Sequence, residues 1–219
     1  MSGLTGSLWL SLRIAAASTV LTALVALPLA SLMARRRFPG KSLLDALIIV
    51  PLVLPPTVVG YLLIVTLGAN GWVGSWLRAA GYTMLFRFEG AVLAAAVVSL
   101  PMLYLPARAA FADVDRDLEE TARLMGAGRL RTFWHVTLPL ARRGIASGAI
   151  LAFARALGEF GATLMVYGWR EDHLTLPISV YTHYEQGDAA NAAATSAVLA
   201  GVSLALIVAY NASAASRQD

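Results

Sequence analysis

Arg155 and Glu159 stand four residues apart inside an otherwise apolar stretch, a spacing that puts both on one face of a helix. Charges placed there are expensive to keep, and they face a bundle interior, a partner or a water-filled cavity. Two readings follow: an ion pair that only stabilises packing, or a part in gating or lining a pathway. Catalytic chemistry is hard to find elsewhere. His135, His173 and His183 are the only histidines, and none has a metal-ligand spacing such as H-E-x-x-H. Glu171, Asp172 and Glu185 lie near the last two and could join them in a metal site, but an ordinary polar loop accounts for them, and neither a metal nor another cofactor is expected. Gly40-Lys41-Ser42 ends like a phosphate-binding loop, yet the glycine required five residues earlier is Arg35. There is no G-x-S-x-G elbow and no cysteine, so catalysis by this chain is not expected.

The elements that hold these residues are dictated by composition. Of 219 residues 58% are hydrophobic and 14% charged, with a mean hydropathy of +0.67, too apolar for a water-soluble domain of this size. The apolar residues gather in five blocks, roughly 14–34, 46–67, 91–112, 144–168 and 192–209. Each is close to the roughly 20 residues that span a hydrocarbon core of about 30 Å as a helix. The first block is long and lacks a basic leader, with Arg13 its only nearby cation, so it reads as a permanent span rather than a cleaved signal. With no internal repeat, low-complexity segment or linker, residues 1–219 read as one domain, all-α and polytopic with five transmembrane helices.

The 17 basic and 13 acidic residues leave a net charge of +4, and their placement matters more than their sum. Arg35, Arg36, Arg37 and Lys41 follow the first block; Arg116, Arg123, Arg129, Arg131, Arg142 and Arg143 follow the third. The remaining connections carry only Arg78, Arg87 and Arg170. Positive charge marks the cytoplasmic side, so the N-terminus is expected outside and the C-terminus, Ser216 to Asp219, inside. This distribution accounts for the basic balance without nucleic acid. Trp72, Trp76, Tyr82 and Trp169 sit where interfacial aromatics anchor a protein in lipid.

Pro51, Pro55 and Pro56 in the second block and Pro101 and Pro106 in the third are expected to kink or interrupt their helices. Such backbone is tolerated in a membrane where it is buried in protein or lines a cavity, so the broken pair points to a pathway. The fourth block is rich in Gly144, Ser147, Gly148, Ala152, Ala156, Gly158, Gly161 and Ala162, which lets backbones approach closely and predicts a central helix.

Between the third and fourth blocks, about residues 113–139, the chain is charged yet helix-permissive. Leu118, Ala122, Leu124 and Met125 recur at helical spacing, with Asp115 or Asp117 available as a cap. Gly126-Ala127-Gly128 breaks the pattern, and a second stretch, Arg129 to Val136, presents Leu130, Phe133 and Trp134 before Pro139 begins the approach to the fourth span. The expected shape is helix, turn, helix, with an amphipathic surface facing the cytoplasm.

Glu120-Thr121-Ala122, three residues, Gly126, nine residues, Val136, one residue, Leu138-Pro139 resembles the EAA signature of ABC-importer permeases. Thr121 replaces the usual second alanine and Val136 the usual isoleucine, changes that keep shape and helix register. Phe38-Pro39-Gly40-Lys41, the run from Pro51 to Tyr61, and the run from Arg155 to Thr163 are further similar to the molybdate permease family, and the likeness extends over nearly the whole chain. The resemblance implies a MetI-like permease fold in a bacterial inner membrane, with cytoplasmic coupling helices in which Glu119, Glu120, Thr121, Ala122, Gly126, Ala127, Val136, Leu138 and Pro139 engage a separate ATPase subunit. It implies a homodimer, two copies of that ATPase and an extracytoplasmic molybdate-binding protein. Pro55, Pro56, Arg155, Gly158, Glu159, Phe160 and Gly161 are the candidates for lining the path. A permease for tungstate or sulfate shares the signature, and a scaffold or sensor without transport would also use a charged loop, though it would not need interrupted spans.

Overall fold

The computed structural model describes residues 2–169 and 174–215, with side chains from 3 to 169 and 174 to 211. Arg170, Glu171, Asp172, His173 and the segment Ser216 to Asp219 lie outside the described residues. Eleven α-helices occur among those described: α1 (Ser2–Arg35), α2 (Lys41–Ile49), α3 (Pro56–Leu67), α4 (Trp72–Ala79), α5 (Phe88–Asp113), α6 (Arg116–Leu124), α7 (Arg129–Thr132), α8 (Leu138–Leu157), α9 (Gly161–Tyr167), α10 (Leu176–Glu185) and α11 (Ala189–Ala215). A 3₁₀ turn at Val50–Leu52 follows α2, and a π-helical turn at Phe133–Thr137 joins α7 to α8.

Four continuous helical stretches are long and apolar enough to cross a membrane: Gly3–Arg35, Phe88–Asp113, Arg129–Leu157 and Ala189–Asn211. A fifth crossing is formed if Lys41–Leu52 and Pro56–Leu67, bent by 112°, count as one. The five-span expectation therefore stands with one span broken, and the break has a local cause. A residue preceding proline is driven out of the α region, and Pro55 sits before Pro56 with ψ 134°, as the extended residue on which the helix restarts.

Two expectations are corrected. Of the kink or interruption expected at Pro101 and Pro106, the interruption is absent, since both lie inside an uninterrupted α5. Pro139 stands in the first turn of α8, at the expected start of the fourth span, although Arg129–Leu157 runs through it as one helical stretch. Its π turn sits one residue before the proline-bearing start of α8, and such turns accommodate a local break in the i→i−4 ladder. The fourth block does not run straight to Gly168, for α8 ends at Leu157 and α9 begins at Gly161. The short α10 is an element that apolar length did not reveal.

The core is α5, which packs along α1 on one side and α8 on the other. One cluster joins Met33, Leu103, Tyr104, Phe111 and Ala152; a second joins Ile14, Ala91, Ala156 and Leu157. The small residues of the fourth block serve as their types indicate: Gly144, Ser147, Gly148, Ala152 and Ala156 are buried, and a Cβ on Gly148 would stand 3.1 Å from the Leu103 carbonyl oxygen. Between α1 and α5, the Thr22 hydroxyl donates to the Ala96 carbonyl at 3.2 Å and lies 3.3 Å from the Ser99 hydroxyl. Such interhelical bonds hold helices together where lipid leaves no hydrophobic driving force.

Candidate functional site: a braced loop and a junction of broken helices

The loop between α5 and α8 is two short helices with defined ends. Asp115 caps α6, its carboxylate accepting from the Asp117 amide at 2.9 Å. The other end closes as a Schellman motif: the Gly126 amide donates to the Arg123 carbonyl and the Ala127 amide to the Ala122 carbonyl, both at 3.0 Å. That motif needs a left-handed residue, and Gly126 has φ +88°. The spacing from Ala122 to Gly126 is therefore the length of a helix C-terminus and its reversal.

Glu119 ties this unit to the bundle. It is buried, accepts from the Thr137 hydroxyl at 2.5 Å, and lies 3.0 Å from Arg35 Nη2 and 3.7 Å from Arg123 Nη2. One carboxylate thus connects the end of α1, the middle of α6 and the π turn, and it places the first and third connections at the same end of the molecule. Phe133 packs on Phe111 of α5 with ring centroids 6.1 Å apart. The outer face is what remains: Glu120, Thr121, Gly126 and Pro139 are exposed, Ala122, Ala127, Val136 and Leu138 half-buried. On it, Leu124 is 88% exposed, Met125 84% and Leu130 72%, with Trp134 beside them at 58%. A rigid surface with this many uncovered large apolar side chains and flanking charge is fitted to a protein partner.

The second group of candidates converges at one place. Glu159 falls in the break between α8 and α9, where its carboxylate accepts from the Ala162 amide at 2.7 Å and lies 2.7 Å from Arg155 Nη1. It thus pairs with the last turn of α8 and caps the first turn of α9, where helix-dipole polarity favours a negative group. Its side chain is only 1% exposed, whereas that of Arg155 is 28% exposed. The α9 start abuts the α3 start: a Cβ on Gly161 would lie 3.1 Å from Thr57 Cγ2 and 3.3 Å from Pro56 Cβ. One turn on, a Cβ on Gly60 would lie 2.8 Å from Met165 Cβ and 2.9 Å from Ala162 Cα. The structure therefore brings Pro55–Pro56 and Gly158–Gly161 into one junction, where two interrupted helices restart side by side. Phe160 continues it toward Tyr181, 5.4 Å between ring centroids, and Tyr181 meets Trp169 at 5.6 Å.

One polar cluster escaped the sequence reading. Asp45 on α2 accepts from the Tyr104 hydroxyl at 2.5 Å and from Arg108 Nη1, both on α5. The signal was present, since Asp45 and Arg108 are charges embedded in apolar runs. Among the described residues, no group of three His, Asp or Glu side chains is placed to hold a metal ion.

A bundle with one broken crossing, a helix interruption packed against it and a braced loop at one end is the architecture of a polytopic membrane protein rather than a simple anchor. The chain belongs to the binding-protein-dependent transport system inner membrane component family, whose model matches residues 26–216. Among similar proteins, the molybdenum transport system permease protein ModB of Escherichia coli is 43% identical over 200 residues, covering 90% of this chain and 87% of that protein. A putative molybdenum permease of Bacillus subtilis is 39% identical, covering 82% and 80%, and the sulfate permease CysW of Synechococcus elongatus 36% identical, covering 91% and 70%. In solved structures, the fold is similar to a chain of the inward-facing MetNI methionine ABC transporter, with TM-score 0.71 at 18% identity over 96% of this chain and 94% of that one. A chain of the bacterial alginate ABC transporter gives 0.72 at 17% over 96% and 78%. The MetI-like permease fold is thereby established, and with it a multi-pass inner-membrane protein.

Proposed function

We propose that this chain is the membrane-spanning permease subunit of an ABC importer for molybdate, with ATP hydrolysis on a partner subunit. The carrying observation is the loop of α6 and α7, clamped to the bundle through Glu119 and Phe133 while Leu124, Met125, Leu130 and Trp134 stand uncovered. Such a unit moves as a rigid body when a partner grips it, and passes that movement to α1, α5 and α8. Two copies of the chain sit with two ATPase subunits below and an oxyanion-binding protein docked on the outer connections. The path runs between the copies past the junction of Pro55, Pro56, Gly158 and Glu159, and changes from inward-open to outward-open as ATP closes the ATPase dimer. The N-terminus is outside and the C-terminus cytoplasmic; the basic connections meeting at the Arg35–Glu119 contact support this orientation.

Molybdate as the cargo is supported by the names of similar proteins, and the likeness to a sulfate permease keeps sulfate and tungstate as the second reading. The test is a proteoliposome holding the chain with its ATPase and binding protein. ATP-dependent molybdate accumulation that sulfate competes weakly is the expected result, and preferential sulfate uptake overturns the cargo. Trp134→Asp with Leu130→Asp is expected to abolish co-purification of the ATPase while leaving membrane insertion intact. Retention of the ATPase by that variant refutes the loop's role.

A further inference from the structure

A cavity of about 300 Å³ lies beneath the loop, its wall formed by Arg35, Arg36, Arg123 and Arg129 against the single carboxylate of Glu119. An adjoining cavity of about 210 Å³ shares Arg35, Glu119 and Arg123 and adds Arg116 and Glu120. Together the two carry five guanidiniums and two carboxylates, an excess of three positive charges.

Glu119 offsets only part of this charge, since its one carboxylate is shared between Arg35, Arg123 and the Thr137 hydroxyl. The Arg35 contact is electrostatic rather than directed. Its Nη2 is 3.0 Å from the carboxylate, yet neither Nε nor Nη2, both shielded from solvent, donates a well-aligned hydrogen bond. Arg36 and Arg129 have no ion pair among the described residues. Guanidinium groups gathered around a cavity with unspent donors form a site for a tetrahedral oxyanion, which accepts their forked N–H groups in pairs.

The surroundings indicate where that oxyanion comes from. Leu24, Val25, Pro28 and Leu32 form an exposed apolar strip on α1 that ends at Arg35 and Arg36. A molecule with acyl chains on that strip would bring its phosphate to the cavity mouth, where apolar helix gives way to charge. Basic pockets at this level of a membrane protein take anionic headgroups.

We propose that this cavity binds the phosphate of an anionic phospholipid, bridging the end of α1 to the loop helices. The inference requires only that the chain lies in a membrane; it is independent of cargo, and its failure leaves the proposed function standing. The test compares the full chain in nanodiscs of phosphatidylcholine with and without phosphatidylglycerol. The expected result is that phosphatidylglycerol raises Tm by about 5 °C, and that Arg36→Gln with Arg129→Gln abolishes the rise. Both side chains are exposed, so their replacement leaves packing intact. Arg37→Gln, one residue away and outside the cavity wall, keeps the full rise. Native mass spectrometry is expected to show phosphatidylglycerol retained by the wild type and lost from the double variant. An equal shift in the double variant, an equal loss in Arg37→Gln, no shift at all, or the same shift with inorganic phosphate alone overturns the proposal.

Discussion

Gly126→Ala separates backbone geometry from bulk at the loop that we place at the ATPase. A Cβ at Gly126 meets nothing within 4 Å, and the same holds at Gly128. The two differ only in backbone: Gly126 has φ +88°, Gly128 φ −66°. A left-handed alanine costs about 1–2 kcal/mol, while its lower freedom in the open loop returns about 0.4–1 kcal/mol. Roughly 1 kcal/mol of net destabilisation remains, a rise of about five-fold in the opened population. Gly128→Ala carries no left-handed cost, and because Gly128 is the N-cap of α7, where alanine is disfavoured, its entropic gain is largely offset and it stays close to neutral. The assay is amide hydrogen exchange at Ala127, whose N–H is sealed by the Ala122 carbonyl: about five-fold faster in Gly126→Ala, nearly unchanged in Gly128→Ala. Uptake is expected to fall in the first variant and persist in the second. If Gly128→Ala accelerates exchange as much as Gly126→Ala, the Schellman turn is not what requires glycine here.

Glu119→Gln removes the charge facing Arg35 and Arg123 while keeping an acceptor for Thr137. With the Glu119 side chain 11% exposed, the loss is expected to be about 2 kcal/mol, below the range for fully buried pairs. It is read as a lowered Tm, with the exposed Glu120→Gln as the unshifted control. Gly60→Ala should cost about 1–3 kcal/mol by forcing α3 and α9 apart, whereas Gly201→Ala, with open space around it, should be neutral or stabilising; equal stability of the two would contradict the close packing at the junction. Asp188 precedes α11 and accepts from both the backbone and side-chain amides of Asn191, which hold its carboxyl below the usual 3.8. A depressed folded pKa gives stabilisation that is complete above the unfolded value and disappears as pH falls through the folded one. Exchange at the Asn191 amide should therefore accelerate in acid relative to distant helices, and Asp188→Asn should remove that dependence.

Much of this molecule could be read from residue order, because its solvent enforces simple rules. Lipid requires every backbone polar group to be satisfied within the chain, so runs of apolar residues marked the helices. Charges excluded from hydrocarbon marked the connections. Gly126 was legible as a turn because the helix reversal is local, needing only the carbonyls three and five residues earlier. Pro55–Pro56 was legible as a break for the same reason. Pro101 and Pro106 read identically in sequence yet leave α5 continuous, since neighbouring helices decide whether a proline's orphaned carbonyls are tolerated. The inward aim of Glu119, the tie between Asp45 and α5, and the meeting of α3 with α9 join residues tens to a hundred positions apart. Local pattern cannot specify such contacts. They follow from how whole helices pack, and that packing turned a list of charged and small residues into a brace, a junction and a basic cavity.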